Sequence, residues 1–117
     1  MINLHFQYFE REKHNKTVEI LKNMSKYTLL DIKAENCSER MATVQKDKYD
    51  PKTNTCHWQA KHIESTLDNS AIAIYAVDGT YHYFGGLKSV PKMVEDTLTI
   101  KTDDGMIYTI TGLKADN

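Results

Sequence analysis

The chain has 117 residues, of which 40% are hydrophobic and 26% are charged, and its formal net charge is −1. These values are ordinary for a folded globular domain and exclude a chain that stays disordered for lack of apolar residues. A chain of this length buries about two-thirds of its unfolded surface, so we expect a single domain over residues 1–117. The near-zero charge does not demand a polyanionic partner, although a local basic face is compatible with it.

The sequence carries no signal for a membrane or for secretion. Its longest uncharged apolar run covers residues 71–77, far short of the roughly 20 residues that cross a bilayer. Residues 1–6 lack the basic and apolar regions of a secretory signal. We therefore predict a cytoplasmic protein without membrane contact, and in that reducing compartment Cys37 and Cys56 are expected to be free thiols.

The amino-terminal part of the chain predicts a strand followed by a helix. Apolar and polar residues alternate over residues 2–8, which is the period of a strand with one buried face. No Gly or Pro interrupts residues 11–24, and Val18, Leu21 and Met24 recur there at three-residue spacing. Because this apolar stripe is narrow, we expect the helix to pack across a sheet with its other side in water.

The middle of the chain predicts strands joined by a turn. In the segment 40–48, Ala42 and Val44 fall on one face of a strand and polar residues alternate with them. Residues 50–54 suit a type I turn, because Asp, Pro and Asn all favour turn conformations. We therefore predict strands over residues 27–35, 40–48 and 55–63, with this turn joining the last two.

The next predicted hairpin follows a segment that is apolar on both faces. Residues 71–77 have this pattern, which is typical of a central strand. Asp78 and Gly79 then supply a two-residue hairpin loop. This loop predicts two faces, one with Ile72, Ile74, Tyr81 and Tyr83 and the other with Tyr75 and His82.

The last predicted hairpin joins residues 97–102 to residues 106–111. A three-residue loop with Gly105 in the left-handed conformation separates apolar from polar residues, whereas a two-residue loop mixes them. The three-residue loop is therefore preferred. It predicts one buried face with Leu98, Ile100, Met106, Tyr108 and Ile110.

The predicted elements define the fold class. About eight short strands and one amino-terminal helix, without an internal repeat, indicate an α+β chain that is mostly β. We expect a small barrel or a strongly coiled antiparallel sheet with the helix packed on it. A sandwich remains an alternative.

Candidate catalytic and metal-binding groups are sparse. Cys56, His57 and His62 are the densest group of possible ligands, but residues an odd number apart on a strand point to opposite faces, which separates the two histidines. Gly85 and Gly86 lack the Lys-Ser/Thr that follows in a phosphate-binding loop. We predict no metal, no cofactor and no enzymatic activity.

The segment 40–63 combines basic and aromatic residues, which is typical of proteins that bind single-stranded nucleic acid. Lysines would contact phosphates, and flat rings on a sheet would stack on bases. The alternative is that Trp58 fills the core with Cys56 and Ala60, while the lysines protect an edge. The residues predicted to bind nucleic acid are Arg40, Lys46, Lys48, Tyr49, His57, Trp58 and Lys61.

A second aromatic group lies in the hairpin around Asp78-Gly79. We expect these side chains to pack in the core and across strands. If they are exposed, they suit a flat ligand or the surface of a partner protein. The group comprises Tyr75, Tyr81, His82, Tyr83 and Phe84.

The layout of the chain resembles the PrgU-type regulators of Gram-positive conjugative plasmids. The resemblance lies in the length, the opening strand and helix, and the strand-rich remainder with Asp-Gly hairpins at residues 78–79 and 104–105. It implies a PUA-like RNA-binding fold and a role in limiting the toxic overproduction of conjugation surface adhesins. It carries over no site residue.

The leading hypothesis is a non-enzymatic regulatory protein that binds RNA and limits the expression of mobile-element or surface-protein genes. The alternative is a protein-interaction module, or an inhibitor of phage or plasmid origin, that uses a sheet edge or a tyrosine patch. A small-molecule binder with a closed barrel is the third hypothesis. Homodimerisation is compatible with all three.

Overall fold

The structure is a computed structural model that describes residues 15–65 and 71–113. Residues 15–22 form helix α1, a 3-10 turn follows at Asn23–Lys26, and a second helix, α2, covers Glu39–Val44. The strand predicted over residues 2–8 lies outside the described residues. The described strands are β1 (Leu29–Glu35), β2 (Tyr49–Asp50), β3 (Thr55–Ser65), β4 (Ile72–Ala76), β5 (Tyr81–Phe84), β6 (Lys92–Val94), β7 (Thr97–Lys101) and β8 (Ile107–Leu113).

The eight strands form one antiparallel sheet with the order β5-β4-β3-β1-β8-β7-β6, and β2 pairs with the beginning of β3. The predicted α+β, mostly β class is confirmed. Within the described residues the end strands β5 and β6 do not pair with each other, so the sheet is not closed into a barrel. None of the helices in the described part of the chain is long and apolar enough to span a membrane.

Helix α1 and the 3-10 turn pack on the sheet through the predicted apolar stripe. Leu21 and Met24 are buried in the same core cluster as residues of β1 and β3. Tyr27 lies just after the turn, and its hydroxyl donates a hydrogen bond to the Asp96 carboxylate. Its ring lies so close to Gly112 in β8 that a Cβ there would be 2.2 Å from a ring carbon. The chain therefore requires glycine at residue 112.

The predicted strand over residues 40–48 is wrong, because Glu39–Val44 is a helix. Ser38 caps this helix: its side chain accepts a hydrogen bond from the Met41 backbone N–H at 3.2 Å, which satisfies one of the free donors at a helix start. Met41 is buried, whereas Val44 is exposed. The alternation of apolar and polar residues that predicted a strand lies within this short helix. The predicted turn over residues 50–54 is present, but it joins β3 to the two-residue strand β2.

The last hairpin forms with the predicted register. Leu98 lies opposite Ile110, and Ile100 opposite Tyr108. Gly105 has a φ of 91° and ends a three-residue loop. All five side chains of the predicted face are buried: Leu98, Ile100, Met106, Tyr108 and Ile110.

The register predicted for the β4–β5 hairpin is wrong by one residue. Tyr75 lies opposite Tyr81, and Ile74 opposite His82. The loop has three residues, since Ala76 N–H donates to the Thr80 carbonyl at 2.9 Å. One additional loop residue shifts the pairing by one residue, so each side chain of β5 faces the side opposite to the predicted one.

The core lies on the face of the sheet to which alternate residues of β1, β3, β7 and β8 point. The sheet curls over this face, because Phe84 of β5 stacks on Tyr108 of β8 with their ring centroids 4.1 Å apart. An isolated bridge between Leu87 and Thr102 also joins the chain after β5 to the end of β7. The sheet is thus strongly curved, and the opposite face is exposed.

Candidate functional site

The residues predicted to bind nucleic acid do not form one surface. Trp58 is only 6% exposed and belongs to the core cluster with Cys56 and Ala60. Its ring meets the His82 ring edge-on, with the centroids 6.0 Å apart. The prediction that Trp58 stacks on a base is therefore wrong, and the alternative, that it fills the core, is what the structure contains.

Lys48 and Tyr49 make contacts that hold their own segment. The Lys48 ammonium lies 2.8 Å from the Asp78 carboxylate, and this contact holds the pKa of that carboxyl well below its usual range. The Tyr49 hydroxyl donates to the Asn54 side-chain oxygen at 2.8 Å. These contacts connect the segment after α2 to the β4–β5 loop through Asp78 and to the β2–β3 loop through Asn54.

The other predicted residues lie on different parts of the surface. His57 and Lys61 are exposed on the outer face of β3, and the His57 ring lies 2.9 Å from an Asp31 carboxylate oxygen. Arg40 is exposed on α2 and lines a pocket over the core face. Lys46 is exposed after α2. The flat basic and aromatic hairpin that the sequence predicts is therefore absent from the described residues.

A row of stacked aromatic rings crosses the outer face of β3, β4 and β5. Ring centroids are 5.5 Å apart between His62 and Tyr75, 5.6 Å between Tyr75 and Tyr81, and 5.8 Å between Tyr81 and Tyr83. The planes of successive rings differ by 25° or less. We call these four residues the tyrosine ladder.

The tyrosine ladder is exposed, in contrast to the predicted core role of its tyrosines. Tyr81 and Tyr83 are 60% and 59% exposed, and Tyr75 is 38% exposed. His82 and Phe84 alternate with them and turn inward, where Phe84 stacks on Tyr108. The prediction of core packing thus holds for His82 and Phe84 and is wrong for the three tyrosines, whereas the predicted packing across strands is present between Tyr75 and Tyr81.

The backbone of β5 is also available at the edge of the sheet. The bond from Ala76 N–H to the Thr80 carbonyl defines Thr80 as part of a hydrogen-bonded pair. Because such pairs alternate in antiparallel strands, His82 bonds to β4, and the N–H and C=O groups of Tyr81 and Tyr83 point away from it. No described residue pairs with this outer edge.

The two edges of the sheet differ in their protection. β6 has three residues, starts with Lys92 and follows Pro91; charge, proline and short length all discourage pairing with another chain. β5 has four residues, Tyr-His-Tyr-Phe, without a Lys, an Asp, a Glu or a Pro. Only the β5 edge lacks these protections.

Carboxylates lie beside the tyrosine ladder. Glu64 lies 3.0 Å from the His62 ring, and Asp78 lies 2.8 Å from Lys48. Burial of its hydroxyl and the nearby Glu64 raise the pKa of Tyr75. Carboxylates at this position do not favour a polyanion.

The two cysteines are buried neighbours. Both are free thiols, as predicted. The Cys37 thiol donates a hydrogen bond to the Cys56 sulfur atom at 3.7 Å. Burial raises the pKa of the Cys56 thiol to about 12. Since the thiolate is the nucleophile, this pair is poorly suited to catalysis.

The histidines of β3 lie on one face, although the sequence predicts opposite faces. A β-bulge between Ala60 and His62 inserts Lys61 and returns His62 to the outer face with His57. Within residues 15–65 and 71–113, no group of three or more His, Cys, Asp or Glu side chains is placed to hold a metal ion.

Sequence reasoning missed the tyrosine ladder because of one loop length. The sequence signal is the Asp-Gly pair, which occurs at residues 78–79 and again at residues 104–105. In the structure both glycines are left-handed, with φ values of 93° at Gly79 and 91° at Gly105. Applying the three-residue loop to both hairpins would have assigned Tyr81 and Tyr83 to the outer face.

Comparisons with known proteins add no relative to this chain: no protein-family model matches it, and neither a curated protein nor a solved structure is significantly similar to it.

Proposed function

We propose that this chain is a non-enzymatic protein-interaction module that pairs a strand of a partner protein with the outer edge of β5. One observation carries the proposal: Tyr81 and Tyr83 present exposed rings and outward-pointing backbone N–H and C=O groups at the same edge. In strand addition the main chain supplies affinity and alternate side chains supply specificity.

The ladder is better suited to a protein surface than to nucleobases. Its rings already stack on one another with centroids 5.6 and 5.8 Å apart, so a base cannot insert between successive rings without separating them. Tyr combines a large apolar area with a hydroxyl, and it is enriched where partner proteins bind tightly. The Glu64 carboxylate beside the ladder is also unfavourable for a polyanion.

The partner is an extended, uncharged segment with apolar or hydroxyl side chains at alternate positions. β5 lacks Lys, Asp and Glu, so a charged partner would lose hydration without gaining an ion pair there. The segment would lie antiparallel or parallel to β5, with every second side chain on the ladder. Four residues of β5 correspond to a short partner strand.

The test is a selection of displayed random peptides of about ten residues on the purified chain. Selected peptides are expected to be uncharged, to increase amide protection at Tyr81 and Tyr83, and to lose binding when alternate amides are N-methylated. N-methylation at the intervening positions is expected to have little effect, because only every second amide of an added strand faces β5.

Two variants provide the comparison. Replacing Tyr81→Lys and Tyr83→Lys together places charges on the β5 edge and is expected to weaken binding at least about tenfold. Val94→Lys changes an exposed apolar residue on the opposite edge and is expected to leave binding unchanged. Equal binding by both variants, or N-methyl effects without a two-residue period, would contradict strand addition.

RNA binding is the second candidate, and one observation favours it. His57 and Lys61 are exposed on the outer face of β3, next to His62, where the tyrosine ladder begins. This candidate retains the regulatory role that the resemblance to PrgU-type proteins implies. The curvature that stacks Phe84 on Tyr108 supports the related proposal of a PUA-like, partly open barrel.

Filter binding with single-stranded and structured RNA at low and moderate salt tests this candidate. Lys61→Gln is expected to weaken binding and to reduce the salt dependence by about one counterion. Lys92→Gln, on the far edge of the sheet, is the matched control. Absence of binding at both salt concentrations would rule out the RNA-binding role.

A further inference from the structure

A pocket of about 210 Å³ lies between α2 and β5, and Tyr83, at the end of the tyrosine ladder, is among its lining residues. Its walls come from α2, from β5 and from the ends of β7 and β8. Pockets for drug-sized ligands begin at roughly 300 Å³, so this one suits a smaller molecule. The lining side chains used below are Arg40, His82, Phe84, Asp104 and Tyr108.

One wall of the pocket is flat and aromatic. The Phe84 and Tyr108 rings are stacked with an interplanar angle of 5°. The His82 ring is tilted by about 30° to both of them, with centroids near 6 Å away. Phe84 is partly exposed and covers Tyr108, which is 2% exposed, so a planar molecule in the pocket would contact this wall mainly through Phe84.

The polar groups deep in the pocket are uncharged. Burial, and secondly the Arg40 charge, lower the pKa of His82, which keeps its imidazole neutral. Burial raises the pKa of the Tyr108 phenol, which keeps its proton. The Tyr108 oxygen and His82 Nε2 are 3.1 Å apart. This pair can orient a ligand by hydrogen bonding but does not supply charge.

Arg40 supplies the positive charge at the pocket. It is exposed, lines the pocket, and makes no hydrogen bond or ion pair within the part of the chain that the structure describes. Its guanidinium is close enough to act electrostatically on both His82 and Tyr108. A planar guanidinium matches the geometry of a carboxylate, which it binds through two parallel hydrogen bonds.

Asp104 limits the charge of the ligand. One of its carboxylate oxygens accepts hydrogen bonds from the Thr102 hydroxyl and from the Met106 backbone N–H, which hold it in the β7–β8 loop. Its negative charge also acts on Tyr108. A ligand with one negative charge avoids most of this repulsion, whereas phosphate or a dicarboxylate does not.

We propose that the pocket between α2 and β5 binds a small planar monocarboxylate. Its carboxylate pairs with Arg40, and its flat body lies against the partly exposed Phe84 ring. The pocket shares Tyr83 with the strand-binding edge, but the Arg40 and Phe84 side chains used in this proposal do not belong to the tyrosine ladder.

Titration of the full chain with benzoate, followed by chemical shifts in NMR spectra, tests the proposal. Benzoate has about nine non-hydrogen atoms, for which a dissociation constant near 1 mM is expected. The shifts should be largest at α2 and β5. Benzamide, cyclohexanecarboxylate and inorganic phosphate should each bind at least about fivefold more weakly, since they lack the charge, the planarity or the single charge.

Arg40→Gln is expected to weaken benzoate binding about tenfold, which corresponds to about 1.4 kcal/mol. Lys46→Gln removes the same charge from an exposed residue that does not line the pocket, and it should bind as the original chain does. Equal weakening in both variants would reduce the site to a non-specific charge effect. Absence of saturable binding below about 10 mM, or shifts confined to other elements, would overturn the proposal.

Discussion

The β4–β5 and β7–β8 hairpins are built on the same loop and expose opposite sets of side chains. Each loop has three residues and ends in a glycine, Gly79 or Gly105, with φ near 90°. In each, an aspartate accepts hydrogen bonds from within the loop: Asp78 from Thr80, and Asp104 from Met106 and Thr102. Yet β8 buries its tyrosine, whereas β5 exposes two.

The difference follows from the number of residues that separate each tyrosine from the loop glycine. The third residue after glycine turns inward in both hairpins: His82 after Gly79 and Tyr108 after Gly105. These two side chains meet at 3.1 Å. Tyr81 and Tyr83 occupy the intervening positions and therefore face outward. Loop length sets the register, and the register alone decides whether a tyrosine packs in the core or becomes a surface contact.

The largest effect expected from this comparison concerns two tyrosines. Tyr108→Ala should lower the free energy of unfolding by about 3–5 kcal/mol, because it leaves a cavity beneath Phe84. Tyr81→Ala should lower it by about 1 kcal/mol or less, since it removes only exposed ring stacking. Urea unfolding followed by circular dichroism measures both.

A companion variant separates the Tyr108 ring from its hydroxyl. Tyr108→Phe should cost about 1 kcal/mol, because it removes only the hydroxyl, with its hydrogen bonds to His82 and to Met106 Sδ. If Tyr81→Ala destabilises the chain as much as Tyr108→Ala does, the assignment of the two faces is wrong.

The next effect concerns the loops themselves. Gly79→Ala and Gly105→Ala should each cost about 1–2 kcal/mol, because a Cβ strains a left-handed backbone although it meets no atom within 4 Å at either position. Gly85→Ala is the control: its φ lies outside that region and its Cβ would be 3.8 Å from Ala71, so little change is expected. Clearly unequal losses at residues 79 and 105 would break the equivalence of the loops.

The smallest expected effect is a pH dependence that distinguishes the two inward residues. The pKa of His82 is lowered by burial and by Arg40, whereas the unfolded chain has a histidine pKa of about 6.5. Between these two values the unfolded state binds more protons. The free energy of unfolding should therefore fall as the pH decreases through about 6.5 toward the folded-state pKa. Tyr108 does not titrate in this range.

Unfolding curves at several pH values between about 7.5 and 5.5 measure this dependence. His82→Asn should flatten this dependence, because it removes the buried imidazole. An equally steep dependence in His82→Asn would show that another group is responsible.

The parts of the fold predicted correctly are those with strong local patterns. In β7 and β8 the alternation of Ile and Leu with Thr, together with Gly105, permits only one register that buries the apolar residues. The stripe of Leu21 and Met24 identified the helix face that packs on the sheet. Trp58 shares its face with Cys56 and Ala60, which made the core alternative recognisable.

The parts predicted wrongly depend on contacts between distant segments. The segment after Ser38 has too few apolar residues to distinguish a short helix from a strand, and burial of Met41 decides for the helix. The bulge at Lys61 could not be predicted, because no glycine marks it in the sequence. The arrangement of the candidate surfaces around Arg40 and around Tyr81 could not be predicted, because both rest on these choices.

Apolar periodicity is sufficient to predict a mostly β chain with a helix on its sheet, because it records which residues leave water regardless of their partners. The exposed face of β5, in contrast, depends on contacts between distant residues. Tyr-His-Tyr-Phe can bury either alternate pair, and the stacking of Phe84 on Tyr108, residues 24 positions apart, selects the register that leaves Tyr81 and Tyr83 in solvent.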